Sequence, residues 1–371
     1  MKFTCERDLL LQAIQTAARC AAAKSPIPAL EGLLVEAGHD VRITGYDLKK
    51  GIYTSLPADI SETGAIVLSA RLFGEIVRSL PDGIVTVEVK SGMNTSITCG
   101  ASDFSILGSD ASEYPELPAV DRQNAISLPQ GLLSRMIRQT IFAVSDNESR
   151  PVYTGSLFEV KDDTLVIVSV DGYRLALRRE KVEAGDVENC SFIVPGAALS
   201  DVEKLCADTD DKVDITVGSK HISFGIGDTV LVSRRLEGEF LNYQKSIPSD
   251  FGSVAEVNRD DLAQVVSRVS LVIDEKTKHP LRVRIRDGGI ELSCQTGRGR
   301  AEDQCPAKVT GGSELVIGFN NRYLLDALKA APTDALHIGL NTSSSPCVLL
   351  PADGGDSFSY MILPVRLRAD A

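Results

Sequence analysis

The chain has 371 residues, 43% of them hydrophobic and 24% charged, too long for one ordinary core and neither fibrous nor broadly disordered in composition. Its longest apolar runs fall far short of a membrane span. Met1-Lys2-Phe3-Thr4-Cys5-Glu6-Arg7-Asp8 leads into folded-looking sequence rather than a signal peptide, so a soluble, cytoplasmic protein is expected. The net charge of -12 argues against wrapping by nucleic acid but leaves room for one locally basic face.

Taken in order, the elements repeat. Leu10, Ala13, Ile14 and Ala17 form an apolar helix stripe, as do Leu133, Met136, Ile137 and Thr140, and Leu262, Val265, Val266 and Val269. A proline follows each at the same distance, Pro28, Pro151 and Pro280, and after it a strand-like run: Leu33 to Val35, Ser156 to Val160 and Leu281 to Ile285. A second helix carries Arg71, Glu75 and Arg78 on its charged side and Leu72, Phe73, Ile76, Val77 and Leu80 on its apolar side. Arg322, Asp326 and Lys329, with Tyr323, Leu324, Ala327, Leu328 and Ala331, repeat it. The middle copy, Pro195 to Cys206, keeps Leu199, Val202 and Lys204 but departs at Ala197 and Glu203. Alternating runs at 84–89, 213–217 and 335–340, and the continuous apolar run 165–168, read as strands. Asp82-Gly83, Asp287-Gly288-Gly289 and Asp353-Gly354-Gly355 read as hairpin turns. Lys161-Asp162-Asp163 and Asp208 to Lys212 read as solvated hairpin tips.

The fold class is therefore α+β, with three successive copies of one unit that holds two helices on antiparallel strands. The expected domains are 1–120, 121–248 and 249–371, divided near Tyr114 to Asp121 and Tyr243 to Asp250.

Dedicated chemistry is not signalled. Phosphate-loop, dinucleotide, zinc-protease and nucleophile-elbow motifs are missing. Asp171-Gly172 reads as a turn rather than a catalytic carboxylate. The eight cysteines include no C-x-x-C pair, and the four histidines are scattered. Buried reduced thiols are expected, with no metal and no cofactor. Lys24, Arg71, Arg78, Arg135, Arg138, Lys204, Arg259, Arg268, Arg322 and Lys329 lie on or beside the repeated helices. They are either ordinary exposed helix faces or a mildly basic surface that attracts phosphates without reading bases.

Four segments match a known family. Ser69-Ala70-Arg71 with Phe73, Val170-Asp171-Gly172-Tyr173-Arg174-Leu175-Ala176, Gly318-Phe319-Asn320 running into Tyr323-Leu324-Leu325-Asp326, and the ending Tyr360-Met361-Ile362-Leu363-Pro364-Val365-Arg366-Leu367 occur in order. By these the chain resembles, over essentially its full length, the bacterial replicative sliding clamps, the beta subunits of DNA polymerase III. The resemblance implies the DNA clamp fold, with two chains joined head to tail in a ring around double-stranded DNA, the basic helix residues facing it. It implies no catalysis; the clamp confers processivity by tethering a polymerase.

The resemblance also implies a pocket for short linear peptides of the DNA polymerase III alpha subunit, the clamp loader delta subunit and other polymerases and repair proteins. One wall would comprise Tyr153, Val170, Gly172, Tyr173, Arg174 and Leu175. The other would comprise Leu241, Lys245, Asn320, Tyr323, Met361, Ile362, Leu363, Pro364, Val365 and Arg366, with Arg174 and Asn320 fixing peptide polar groups. Met361 to Val365 also reads as a plain buried terminal strand, and a pocket wall can be both. Val170 and Tyr173 replace the family's Thr and His, Leu241 its frequent Pro, Lys245 an Arg, and Thr277 stands at a position that can be aromatic. Lysine keeps a point charge but gives up the planar fork. At the dimer contact, Phe104 and Ile106 would meet Leu271 and Val272, flanked by Arg298, Arg300 and Glu302. Two alternatives stay open: a scaffold of this architecture that does not encircle DNA, and an enzyme of unrecognised class.

Overall fold

An apolar stripe becomes a helix when something covers it. Among the described residues seven helices follow in order: α1 (Arg7–Ala18), α2 (Ala70–Ser79), α3 (Gln130–Arg138), α4 (Gly196–Leu205), α5 (Tyr243–Ser246), α6 (Arg259–Val269) and α7 (Asn321–Ala330). α1 buries Leu10, Ala13, Ile14 and Ala17, and α6 buries Leu262, Val265, Val266 and Val269. In the middle copy Leu133, Met136 and Ile137 are buried on α3, while Thr140 lies just past the helix end, its hydroxyl donating to the Met136 carbonyl at 2.9 Å. Side-chain caps start α2, α6 and α7: the Ser69 hydroxyl accepts from the Leu72 N–H, Asn258 from Asp260 and Asp261, and Asn320 from Arg322. Such caps are worth about 0.5–2 kcal/mol each.

One device holds each helix pair and was not read from the sequence. The first residue of each leading helix reaches the end of the second helix, where backbone groups lack intrahelical partners. Arg7 donates to the carbonyls of Val77 and Arg78. Gln130 accepts from the Ala207 N–H and donates to the Lys212 carbonyl. Arg259 donates to the Ala331 carbonyl at 3.0 Å.

The computed structural model describes residues 1–120, 125–182, 189–274, 279–312 and 314–367. They form two units, Met1–Ser134 with Ala197–Arg235, and Arg135–Gly196 with Leu236–Ala371. In the first unit a five-stranded sheet runs Asp59–Glu62, Lys2–Glu6, Ile84–Val89, Asn94–Cys99, Ser102–Leu107. An eight-stranded sheet runs Ala125–Pro129, Lys212–Val217, His221–Ile226, Thr229–Arg234, Lys50–Leu56, Val41–Tyr46, Gly32–Ala37, Gly64–Ser69. In the second unit a nine-stranded sheet runs Cys190–Pro195, Gly155–Lys161, Thr164–Val170, Arg174–Lys181, Phe358–Ile362, Cys347–Pro351, Ala335–Leu340, Ser253–Asn258, Lys308–Thr310. A four-stranded sheet runs Gly299–Pro306, Gly289–Thr296, Leu281–Arg286, Leu315–Phe319. Within each unit one long sheet thus joins strands from two of the sequence copies, and all the pairings are antiparallel.

Several local expectations change. Asp82-Gly83 and Asp208 to Lys212 lead from a helix into a strand and are not hairpin turns, because the preceding residues are helical. The hairpins at Asp287-Gly288-Gly289 and Asp353-Gly354-Gly355 form as read, and Asp162 and Asp163 take positive φ at the tip between their strands. Leu72 is 43% exposed and so is not part of the α2 core face. None of the eight cysteines is in a disulfide, and six are buried. Burial pushes the Cys5 and Cys347 thiols up to about 12.

Leu10→Ala empties a fully buried position. The expected cost is about 2–5 kcal/mol, read as a lower urea midpoint in circular dichroism; an unchanged midpoint would mean that α1 does not anchor its unit.

Candidate functional site

The site grows from a four-residue turn. Strands Thr164–Val170 and Arg174–Lys181 pair with Val170 opposite Leu175, leaving Asp171 to Arg174 to reverse the chain. The Asp171 carboxylate accepts the N–H of Tyr173 at 2.8 Å and of Arg174 at 3.0 Å. Gly172 supplies the required φ of 93°, which a side chain would oppose. Tyr173 is thereby presented outward, 63% exposed.

Arg174 is spent inside the protein. Its Nε donates to Asp171 at 3.0 Å and its Nη1 to Asp326 of α7 at 2.6 Å. Its guanidinium carbon lies 4.4 Å from the Tyr323 ring centre and 5.4 Å from that of Phe142. Tyr173 stacks on Tyr323 with ring centres 6.4 Å apart. Burial, with the Asp171 charge adding to it, raises the Tyr323 phenol above its ordinary value, so it stays protonated as a donor. Arg174 thus also holds Tyr323, and through it Tyr173, in place. Asn320 likewise uses its side-chain oxygen to cap α7.

The chain after strand Phe358–Ile362 closes one side. The Leu363 N–H donates to the Tyr173 carbonyl at 2.8 Å, and the Val365 N–H to the Gly318 carbonyl at 2.8 Å. Only glycine permits this, because a Cβ at 318 would stand 2.5 Å from the Val365 oxygen. The result is a cleft of about 660 Å³ lined by the expected Tyr173, Asn320, Tyr323, Leu363, Pro364 and Val365. Ser270, Ile273, Asp274, His279, Pro280, Asn321 and Arg322 also line it. None of these was expected in a pocket. Most lie between the α6 stripe and Pro280, and their position in the repeat was the available signal.

The other expected pocket residues separate from this cleft. Val170, Leu175 and Met361 are buried in an apolar cluster with Leu157, Leu177, Tyr243 and Val348, against which Tyr153 and Leu241 pack half-buried. Strand alternation sends Met361 there and Ile362 into the C-terminal core. Ile362 is therefore core rather than wall. Lys245 and Arg366 are exposed. Thr277 lies outside the described residues.

Nine of the ten expected basic residues are exposed: Lys24 beyond α1, Arg71 and Arg78 on α2, Arg135 and Arg138 on α3, Lys204 on α4, Arg268 on α6, and Arg322 and Lys329 on α7. Arg71 meets Glu75 at 2.9 Å and Arg268 meets Asp303 at 2.6 Å. Arg259 is the correction. Its side chain is 22% exposed and engaged with Ala331, Asp260 and Asp334, so it clasps α6 to α7.

Of the expected dimer residues, Leu271 is 80% and Phe104 37% exposed. Ile106 is 8% exposed and packs in the N-terminal core, while its neighbour Leu107 is 76% exposed. Val272 packs half-buried on the C-terminal core. Arg298 pairs with Asp274 at 2.7 Å, and Arg300 with Glu302 at 2.6 Å. Among the described residues no helix is long and apolar enough to cross a membrane, and no cluster of three His, Cys, Asp or Glu side chains could hold a metal.

Models of the DNA polymerase III beta subunit match in three stretches: the N-terminal domain at residues 1–118, the central domain at 127–242 and the C-terminal domain at 244–366. The chain is 32% identical to the beta sliding clamp of Staphylococcus epidermidis over 376 residues, 99% of each chain. It superposes on the DNA polymerase sliding clamp of Bacillus subtilis with a TM-score of 0.96 and 31% identity, covering 99% of this chain and 100% of that one. A Pseudomonas aeruginosa sliding clamp bound to griselimycin gives 0.93 at 27% identity, with the same coverage.

Asp171→Ala removes the acceptor of two N–H groups and one partner of Arg174. The expected loss is about 1–3 kcal/mol of stability, measured by urea unfolding, with altered tyrosine near-ultraviolet dichroism. A stability within error of the parent would show that the turn forms without it.

Proposed function

The chain belongs to the DNA polymerase III beta subunit family, and from that premise we propose that two copies close head to tail into a ring around duplex DNA and hold a polymerase at the primer end. The observation that carries this reading is a junction that occurs twice within the chain. Strand Lys50–Leu56 pairs with Thr229–Arg234, and strand Arg174–Lys181 with Phe358–Ile362. The end sheets keep one edge each in strands Ser102–Leu107 and Gly299–Pro306. An open edge is a template for a further strand, and unlike edges suit a closed head-to-tail assembly.

Domains at 1–120, 121–248 and 249–371 are the natural division of this ring. The exposed arginines and lysines of the helices meet phosphates without reading sequence, while the net charge of -12 discourages binding elsewhere on the surface. The protein has no catalysis of its own in this reading and works in the cytoplasm with the chromosome. Its contribution is effective concentration: a tethered polymerase rebinds as an intramolecular event.

The Tyr173–Leu363 cleft and the Val170–Met361 cluster receive short apolar peptides of the DNA polymerase III alpha subunit, the clamp loader delta subunit, and other polymerases and repair proteins. Rigid aromatic and aliphatic anchors in a preformed slot are the usual hot spots of such contacts.

Once loaded, the protein is expected to persist on nicked circular DNA and to run off the same DNA made linear, measured by gel filtration of the complex; equal loss from both would remove topological linkage. Leu363→Ala and Tyr173→Ala should each weaken a fluorescent polymerase tail peptide about tenfold or more in anisotropy titrations, with unchanged circular dichroism. Peptide affinity equal to the parent's in both variants would move the peptide site elsewhere.

A further inference from the structure

The segment that carries Leu241 and Lys245 is tied to the sheet by one side chain. Its helix α5 (Tyr243–Ser246) is a single turn, too short to persist by itself. Asn242 caps it, accepting from the Lys245 N–H at 3.3 Å. Tyr243 is 4% exposed and lies in the apolar cluster with Leu157, Val170, Val348 and Met361. Its phenol donates to the carboxylate of Glu159, a half-buried residue of strand Gly155–Lys161 on the same face as Leu157. Burial, with the Glu159 bond adding to it, pushes the phenol up to about 12, so it stays a donor. Among the described residues this is the only hydrogen bond from 241–247 to a strand. Leu241 packs half-buried on the same cluster, and Lys245 is exposed on α5.

The first junction has the same scaffold without this bond. The Ser109 N–H donates to the Val67 carbonyl at 2.9 Å, as the Leu236 N–H does to the Ile193 carbonyl at 3.0 Å. Glu116 follows Ser109 at the distance at which Tyr243 follows Leu236. Gly32 faces Ser69 and Gly155 faces Pro195, each just before a helix, and Glu36 follows Gly32 as Glu159 follows Gly155. The pair that is tyrosine and glutamate at the second junction is thus two glutamates at the first. Two ionised carboxylates are both acceptors and cannot bond each other. At the first junction a groove of about 690 Å³ is lined by Glu36, Glu116, Tyr53, Leu117 and Val232 among others.

We propose that the Tyr243–Glu159 hydrogen bond is a latch that holds the segment 241–247 as one wall of the partner-peptide site. This rests on the peptide reading of that site and names two positioning residues for it, neither of which lines the Tyr173–Leu363 cleft. The latch acts by preorganisation. While it is closed, Leu241 and Lys245 are set before a peptide arrives, and binding spends no free energy on ordering them. Once it is broken, α5 keeps its Asn242 cap and its apolar contacts alone, and Leu241 can leave the cluster. The first junction, with Glu36 and Glu116, has no such latch, so this wall is built once per chain.

Anisotropy titration of a fluorescent polymerase tail peptide into the full-length protein tests the latch. Tyr243→Phe removes the donor and keeps the ring; it should raise the peptide dissociation constant about tenfold, with circular dichroism and retention on nicked circular DNA unchanged. Glu159→Ala should do the same, whereas Glu159→Gln keeps an acceptor and should bind within about twofold of the parent. Leu241→Ala should weaken the peptide about fivefold by itself and add nothing in the Tyr243→Phe protein, because a latch acts through the wall that it holds. Independent, multiplying effects of these two substitutions would reduce Tyr243 to a fold-supporting residue and overturn the proposal. Parent-like binding by Tyr243→Phe would overturn it too, as would a Glu159→Gln protein as weak as Tyr243→Phe. Should an alanine variant fail to fold, Tyr243→Phe and Glu159→Gln decide between them. A parent protein that binds no tail peptide would overturn the peptide site itself, which the variants' loss of affinity could not.

Discussion

The backbone hydrogen bonds of edge strands govern this protein. A strand leaves a row of N–H and C=O groups unmatched on its outer side, and the chain satisfies that row by handing it to the next copy of the same unit. Strand Lys50–Leu56 does so with Thr229–Arg234, and Arg174–Lys181 with Phe358–Ile362. Everything else is arranged around these two joins. The helix pairs lie clasped at one end by Arg7, Gln130 and Arg259. The turn before each joining strand is fixed by an aspartate, and a basic residue next to it reaches an acid on a following helix.

That placement explains why the cleft lies where it does. The Asp171 turn must be rigid to start the joining strand, and the same rigidity fixes Tyr173 and Arg174. The tail must leave strand Phe358–Ile362 after pairing with it, and its exit past Gly318 makes the opposite wall. A binding site built from a junction costs little extra structure. Its walls are already held by sheet hydrogen bonds, so the peptide proposed to bind there loses less to ordering the site.

The repeat was legible in the sequence because its period-3.6 stripes and prolines carry over from copy to copy: Leu10, Leu133 and Leu262 are buried at matching places. The cleft was legible in its tyrosines and its tail through resemblance to a family. What the sequence concealed is which polar groups face inward. Arg174 reads as a free guanidinium but is stacked and doubly paired. Arg259 reads as one more helix cation but closes a helix end. Ile106 entered the expected dimer contact beside Phe104 through the resemblance; a strand's alternation says which residues share a face and not how far cover extends along it, and Phe104 is the one left open. Leu72 escaped for the reverse reason, since it borders the apolar stripe of α2 yet falls outside what the sheet covers.

The charge distribution follows from the same division of labour. Exposed ion pairs contribute little to stability, about 0–1 kcal/mol each, so Arg71 with Glu75 or Arg268 with Asp303 is free to serve another purpose. A cation already paired to a carboxylate attracts a phosphate only weakly, and a contact that is weak and easily exchanged can move along a regular backbone of charges. A row of unpaired arginines would instead hold one register and resist translation. Under the proposed function, the acids interspersed on the helices keep attraction to DNA low enough for motion, and retention is left to closure of the ring.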